Sequence, residues 1–241
     1  MESFEKIINL IAKPRLERYC PSTNTAFTLE CLSRYILNIK RAETFYFALH
    51  MLEVSLRNAI YNSFQKHFEI PFFYLHEVDS RQHYYKRKEF HSRECWKMIC
   101  GAKHHLEKRG ESTHDGKLIA ELNFGFWTKL FLDNHRKYTE MWRVIFDDVF
   151  PNKQYSGGID QVKNKVGLQI DEIRKIRNRI FHYEPILDFD INLIHQKIFE
   201  IVQWIDIDLY RLLETFNSYK EFSLSEREII DILTRLYGRE K

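Results

Sequence analysis

The sequence predicts an all-α protein, and three observations lead there. Only eight of the 241 residues are Gly and five are Pro, whereas a sandwich or barrel of short strands needs turn residues about every dozen positions. Apolar residues recur at three- and four-residue steps over long stretches, the period of a helix with one buried face. A hydrophobic content of 44% is ordinary for a chain that encloses a core, which speaks against disorder.

The elements follow in order. Residues 3–13 read as a short helix ended near Pro14, with Pro21-Ser-Thr-Asn24 as a turn. From 26 to 68 the pattern is helical almost throughout, with Phe45, Leu49, Leu52, Leu56, Ala59 and Ile60 on one face, and Pro71 breaks it. A basic, aromatic helix is expected over about 84–108, then a polar loop over 110–116. Leu118, Leu122, Phe126 and Leu130 form a buried stripe, with Gly125 allowing a break or a close backbone approach. Trp142, Ile145, Phe146 and Val149 carry a short helix to Pro151, and a longer one spans 159–183, stopped by Pro185 because proline disfavours helical geometry in the residue before it. One long amphipathic helix is read over 191–216. Ser225 with Glu228 forms a capping box for the last helix, and Gly238 is placed to end it. Without an internal repeat or a Gly/Ser/Pro-rich linker, residues 1–241 read as one domain.

The amino terminus, with Glu2 and Glu5 and no basic region ahead of an apolar stretch, does not resemble a secretory signal, and no apolar run reaches bilayer length. Cys20, Cys31, Cys95 and Cys100 form no CxxC pair and no disulfide-rich pattern, which suits a reducing compartment. A cytoplasmic location without membrane contact is therefore expected. The formal charge of +3 is too small to argue for nucleic acid by itself, but residues 81–110 carry nine Lys/Arg against three Glu. That stripe suits phosphates or a solvated helix face equally well. Tyr84 and Tyr85 beside Lys86, Arg87 and Lys88 suit base stacking or ordinary packing. His91, Cys95, Cys100 and His104 are spaced poorly for zinc and read better as core cysteines and surface histidines.

The sharpest chemistry lies between Asp171 and Pro185. On a continuous helix Arg174, Asn178 and His182 fall at four-residue steps and share one face, and Arg177 sits beside them with a side chain long enough to lean in. Ile173, Ile176 and Ile180 point the other way, so burial does not explain the polar face. Histidine is the side chain that exchanges protons near neutral pH, as needed to activate a ribose 2′-hydroxyl or protonate a leaving 5′-oxygen. Arg177 would stabilise charge building on the phosphorane oxygens, and Asn178 would orient His182 or the phosphate. RNA carries its own nucleophile, so no metal or other cofactor is required, and the sequence holds no two-metal carboxylate cluster, Gly-rich phosphate loop or GxSxG elbow.

Arg177-Asn-Arg-Ile-Phe-His182 resembles the R-N-x-x-x-H motif of the HEPN superfamily, and 176–186 as a whole resembles the carboxy-terminal signature of bacterial abortive-infection (Abi-like) proteins. Two other stretches resemble the same family in the same order. Residues 122–131 look like its Phe-Gly-x-Trp segment, and 50–60 like its Glu-Val-x-Leu-Arg-Asn helix. The likeness covers most of 13–186 and leaves 187–241 as further C-terminal helices. It implies a HEPN-like helical bundle, a metal-independent endoribonuclease acting as a toxin in phage defence, a homodimer with Arg177 and His182 of both copies facing one cleft, and an antitoxin of protein or RNA. It also makes Glu53, Arg57 and Asn58 candidates for the other wall of the site, although Glu53 and Arg57 are equally suited to an intrahelical ion pair. The alternative, from another class, is a non-catalytic module that binds RNA or a partner on the same fold.

Overall fold

The computed structural model describes residues 2–20, 28–69, 72–73, 91–154, 157–221 and 223–237. Among them the regular structure is helical, with no strand. In chain order the helices are α1 (Glu2–Ile11), α2 (Lys13–Leu16), α3 (Leu29–Glu43), α4 (Tyr46–His67), α5 (Arg93–Lys108) and α6 (Asp115–Glu121). They continue with α7 (Phe124–Leu132), α8 (Arg136–Val149), α9 (Ile159–Phe181), α10 (Ile191–Ile205), α11 (Ile207–Phe216) and α12 (Glu226–Tyr237). No helix among the described residues is long and apolar enough to cross a membrane. The turn expected at 21–24, the residues 84–90 of the basic stretch and the stop at Gly238 lie outside the described residues.

Short polar side chains satisfy orphan N–H groups at several helix starts. Thr28, Ser92, Asn123, Asp190 and Asp206 each accept a hydrogen bond from the backbone three residues on, a cap worth about 1 kcal/mol. The capping box is reciprocal: Glu228 N–H donates to the Ser225 hydroxyl at 3.2 Å, and Ser225 N–H donates to the Glu228 carboxylate at 2.7 Å.

Two continuous helices expected from the periodicity are each broken in two. The stretch 26–68 divides at Thr44 and Phe45, where the Thr44 hydroxyl donates to the Arg41 carbonyl at 2.8 Å and Phe45 turns fully into the core. The stretch 191–216 divides at Asp206, whose backbone is extended (φ −161°) and whose carboxylate caps α11 at 2.7 Å. Short polar side chains compete with the helix for backbone groups, and in the stretch 191–216 apolar periodicity does not register the break because both halves pack on α4, whereas α3 leaves α4 to pack on α12. Gly125 likewise does not end its segment. The break comes at Leu122, and Asn123 caps α7. A Cβ at Gly125 would stand 3.0 Å from the Asn123 Oδ1 that caps α7, and the approach is tighter still at Gly167, where a Cβ would come within 2.8 Å of Phe131 Cβ, so only glycine lets α9 lie so near α7.

The main core forms around α4, which packs against α7, α8, α10 and α11, while α9 packs against α7, α8 and α10. Trp127, Trp142, Phe126, Phe131 and Phe146 are fully enclosed. A smaller cluster joins Leu32 and Leu37 of α3 to Ile229 and Leu233 of α12, with Phe4, Ile7 and Ile11 of α1 packed against it. One expectation is corrected here. Cys20 and Cys31 are joined as a disulfide, although their spacing carries no pattern that announces one. The bond brings the end of the η1 turn (Glu17–Tyr19) to the first turn of α3, a proximity that only tertiary packing creates.

Two histidines are interior. His91 takes both ring nitrogens into hydrogen bonds, Nδ1 with the Tyr138 hydroxyl at 3.0 Å and Nε2 with the Phe72 carbonyl at 2.8 Å, and burial pushes its pKa down to about 4. That geometry removes it from the weighed zinc set, whose remaining members separate into buried Cys95 and exposed Cys100 and His104. His195 is sandwiched between the rings of Phe45 and Tyr219, at 4.0 and 3.8 Å, with Nε2 on the Thr44 hydroxyl, and burial lowers its pKa to about 3.

Candidate functional site

Of the isoleucine face of α9, Ile173 and Ile176 are buried, with Ile170 a turn before them, while Ile180 is half-buried against the core, and the arginines lie on the remaining surface. The helix then stops in a defined way. Tyr183 N–H donates to the Ile180 carbonyl at 3.0 Å and Glu184 N–H to the Arg179 carbonyl at 2.8 Å, the paired bonds of a Schellman end. Tyr183 occupies the left-handed position of that motif at φ 57°, where a residue bearing a Cβ pays a penalty that glycine does not.

Several side chains hold this exit in place. Asn38 of α3, almost completely buried, accepts from Ile186 N–H at 2.7 Å and donates to the Glu184 carbonyl at 3.4 Å. Arg179 donates to the Pro185 carbonyl at 3.0 Å, Arg15 to the Tyr183 carbonyl at 3.5 Å and Arg41 to the Leu187 carbonyl at 3.5 Å. His182, the C-cap residue, is exposed, and its backbone N–H closes the last turn onto Asn178 at 2.9 Å. The ring therefore stands at a fixed point of the backbone, open to solvent.

α4 supplies the opposite wall. Glu53 does not pair with Arg57. Its carboxylate accepts from Arg177 Nε at 3.3 Å, tying α4 to α9 across a groove. The Arg177 guanidinium also lies over the Phe181 ring, 4.4 Å from its centroid, a cation–π contact that keeps the charge at the groove. Arg57 enters the same groove, and its buried Nε has no hydrogen-bond partner among the described residues. Tyr46, His50, Glu53, Arg57, Arg177 and Phe181 surround a space of about 270 Å³. Two guanidiniums against one carboxylate leave positive charge there, which suits a phosphate.

The other candidates separate. Arg174 and His182 line no common groove. Arg174 donates from Nε and Nη2 to Asp171 Oδ1 at 2.9 and 2.7 Å and faces a second groove of about 570 Å³ with Gly125, Thr128, Lys129 and Asp133. Burial pushes the Asp171 carboxyl up, but the hydrogen bonds from Lys175 and Arg174 outweigh it and hold the pKa below the ordinary value. Asn178 is half-buried and Asn58 exposed, and neither they nor His182 line the groove of Arg177. Sequence reasoning missed Asn38, Arg15 and Tyr183. The available signal was Asn38 itself, an amide next to Leu37 in the apolar register of α3.

Comparison of the chain with protein-family models, curated proteins and solved structures finds no match.

Proposed function

We propose that the groove between α4 and the exit of α9 is the active centre of a metal-independent endoribonuclease, a HEPN-type Abi-like effector that arrests growth in phage defence. The observation that carries this reading is the Arg177 to Glu53 bridge. Two stretches far apart in sequence, each singled out by its own motif, meet at one charged groove beside Arg57. In the reaction, the ribose 2′-oxygen bonds to phosphorus as the bond from phosphorus to the 5′-oxygen breaks. One group takes the 2′-proton and another gives a proton to the 5′-oxygen, while Arg177 and Arg57 stabilise charge on the non-bridging oxygens.

One imidazole cannot act as base and acid in the same step. The reading therefore pairs His182 with its counterpart in a second copy of the chain, which also accounts for a histidine that stands open to solvent outside the groove of a single copy. The test is RNA incubated with the purified protein in EDTA. Cleavage is expected, with a loss of about a hundredfold or more in His182→Ala. Absence of cleavage, or its survival in His182→Ala, defeats the proposal.

The exposure of His182 beyond the groove-lining residues also favours a second reading, an RNA-binding module without catalysis. It predicts retention of RNA without products and equal binding by His182→Ala, with affinity falling steeply as salt rises.

A further inference from the structure

Beside the charged groove lies a larger and chemically different cleft. It holds about 600 Å³ between α3 and the exit of α9, and its walls include Tyr35, Ile39, Tyr46, Phe181 and Tyr183. Tyr46 and Phe181 belong to both spaces, so one leads directly into the other. Four apolar side chains here are left in solvent: Tyr183 at 74% exposure, Tyr46 at 64%, Phe181 at 44% and Ile39 at 40%. Glu43 and Glu184 are also on the walls, and Glu43 is paired to Lys40 at 2.9 Å.

We infer that this cleft is a base-binding subsite, taking the nucleobases of single-stranded RNA on the aromatic rings while the phosphate of the same segment sits in the Arg57 and Arg177 groove. The inference rests on the RNA reading above and adds to it the part of the substrate that is recognised. Three observations converge. The two spaces differ in chemistry: the cleft is mostly apolar and aromatic, with Glu43 and Glu184 against the single guanidinium of Arg15, and its carboxylates can accept from base N–H groups, while the groove next door holds two guanidiniums against one carboxylate and attracts a phosphate. Arginine and aromatic alternate along the surface, with the Arg15 guanidinium 5.9 Å from the Tyr183 ring centroid and that of Arg177 4.4 Å from Phe181, the arrangement that supports stacked bases and their backbone. Finally, Tyr183 stands at φ 57° in a helix end that glycine would occupy without strain, and its ring gains little burial in return. A strained, exposed aromatic next to a reactive groove is accounted for by a ligand that stacks on it.

The test uses the full chain carrying His182→Ala, so that RNA is not consumed, and fluorescence anisotropy with a labelled single-stranded RNA hexamer and an abasic hexamer of the same backbone. The hexamer with bases is expected to bind at least tenfold more tightly than the abasic one. Tyr183→Gly and Tyr35→Ala, both on the walls of the cleft and neither on those of the charged groove, should each weaken the base-bearing hexamer about five- to a hundredfold and leave the abasic one unchanged. Tyr183→Gly should also melt at a higher temperature, whereas a tyrosine kept for folding would melt lower when replaced. Equal binding of the two hexamers, no binding of either, or indifference to both substitutions overturns the proposal. So does a loss of self-association in these variants without any change in RNA affinity, which would make the cleft an interface between copies of the chain. Failure of the nuclease reading looks different: base-dependent binding persists, but the protein with an intact His182 yields no products.

Discussion

Arg174 and Arg177 lie one turn apart on α9 and have the same side chain, yet the structure employs them differently. Arg174 is held by Asp171 of its own helix, and the groove it faces is rimmed by Glu94, Asp133 and Lys129, so its charge is answered locally. Arg177 reaches across to Glu53 of another helix and shares a groove with a second arginine. Four-residue spacing makes neighbours on a helix, but which neighbour a guanidinium serves depends on what the adjacent helices bring. The close approach of α7 at Gly167 sets the Arg174 side, and α4 sets the Arg177 side.

If that difference is functional, activity should break it most visibly. Arg177→Ala is expected to lower RNA cleavage by about a hundred- to a thousandfold, the scale of losing a donor to developing charge. Arg174→Ala should change it by less than about threefold. Equal losses in steady-state assays of the two variants would collapse the distinction between the grooves.

The next effect is on stability. Asn38→Ala strips the partner from Ile186 N–H in a buried position and frees the Glu184 carbonyl, and leaving such groups unpaired costs about 1–3 kcal/mol each. Urea denaturation should show a loss of roughly 2–3 kcal/mol, larger than for any single residue that pairs with Arg174. A loss within error would mean that the exit of α9 is not pinned by α3.

Acid sharpens the comparison from below, because each side rests on one buried neutral imidazole. His91 packs against Phe126 of α7, and His195 packs under the α3–α4 turn at Phe45. Their folded pKa values, about 4 and about 3, lie below the ordinary 6.5, so the unfolded chain binds protons that the folded one refuses. Their contribution is complete above pH 6.5 and is lost as the pH falls toward those values. Melting temperatures should decline between pH 7 and 5, and His195→Phe, which keeps a ring between Phe45 and Tyr219, should flatten the decline. An unchanged pH profile in that variant would remove His195 from the explanation. The smallest effect belongs to Asp171→Asn, which weakens a local ion pair and should cost about 0.5 kcal/mol in thermal unfolding with no change in RNA affinity.

Much of this was legible in the sequence because burial follows period. The stripes of α4, α7 and α9, and the Ser225 capping box, are local patterns that the structure keeps. What escaped was set by partners distant in sequence. The breaks at Thr44 and Asp206 leave the apolar period intact, so only the polar side chain that makes the break marks it. Spacing alone left Glu53 equally ready for Arg57, and the choice of Arg177 needed α9 to be brought alongside. The disulfide between Cys20 and Cys31 and the clamp of Asn38 on residues 184–186 are tertiary in the same sense. For the site, Arg177, Glu53 and Arg57 are brought together, while Arg174 is drawn into a different groove by Asp171.

The most direct measurement is the chemistry of the ends left on RNA after incubation with the full chain in EDTA. The account predicts 2′,3′-cyclic phosphates and 5′-hydroxyls, retained in Arg174→Ala and lost in Arg177→Ala. Products bearing 5′-phosphates, or cleavage that disappears with EDTA or persists undiminished in Arg177→Ala, would contradict it.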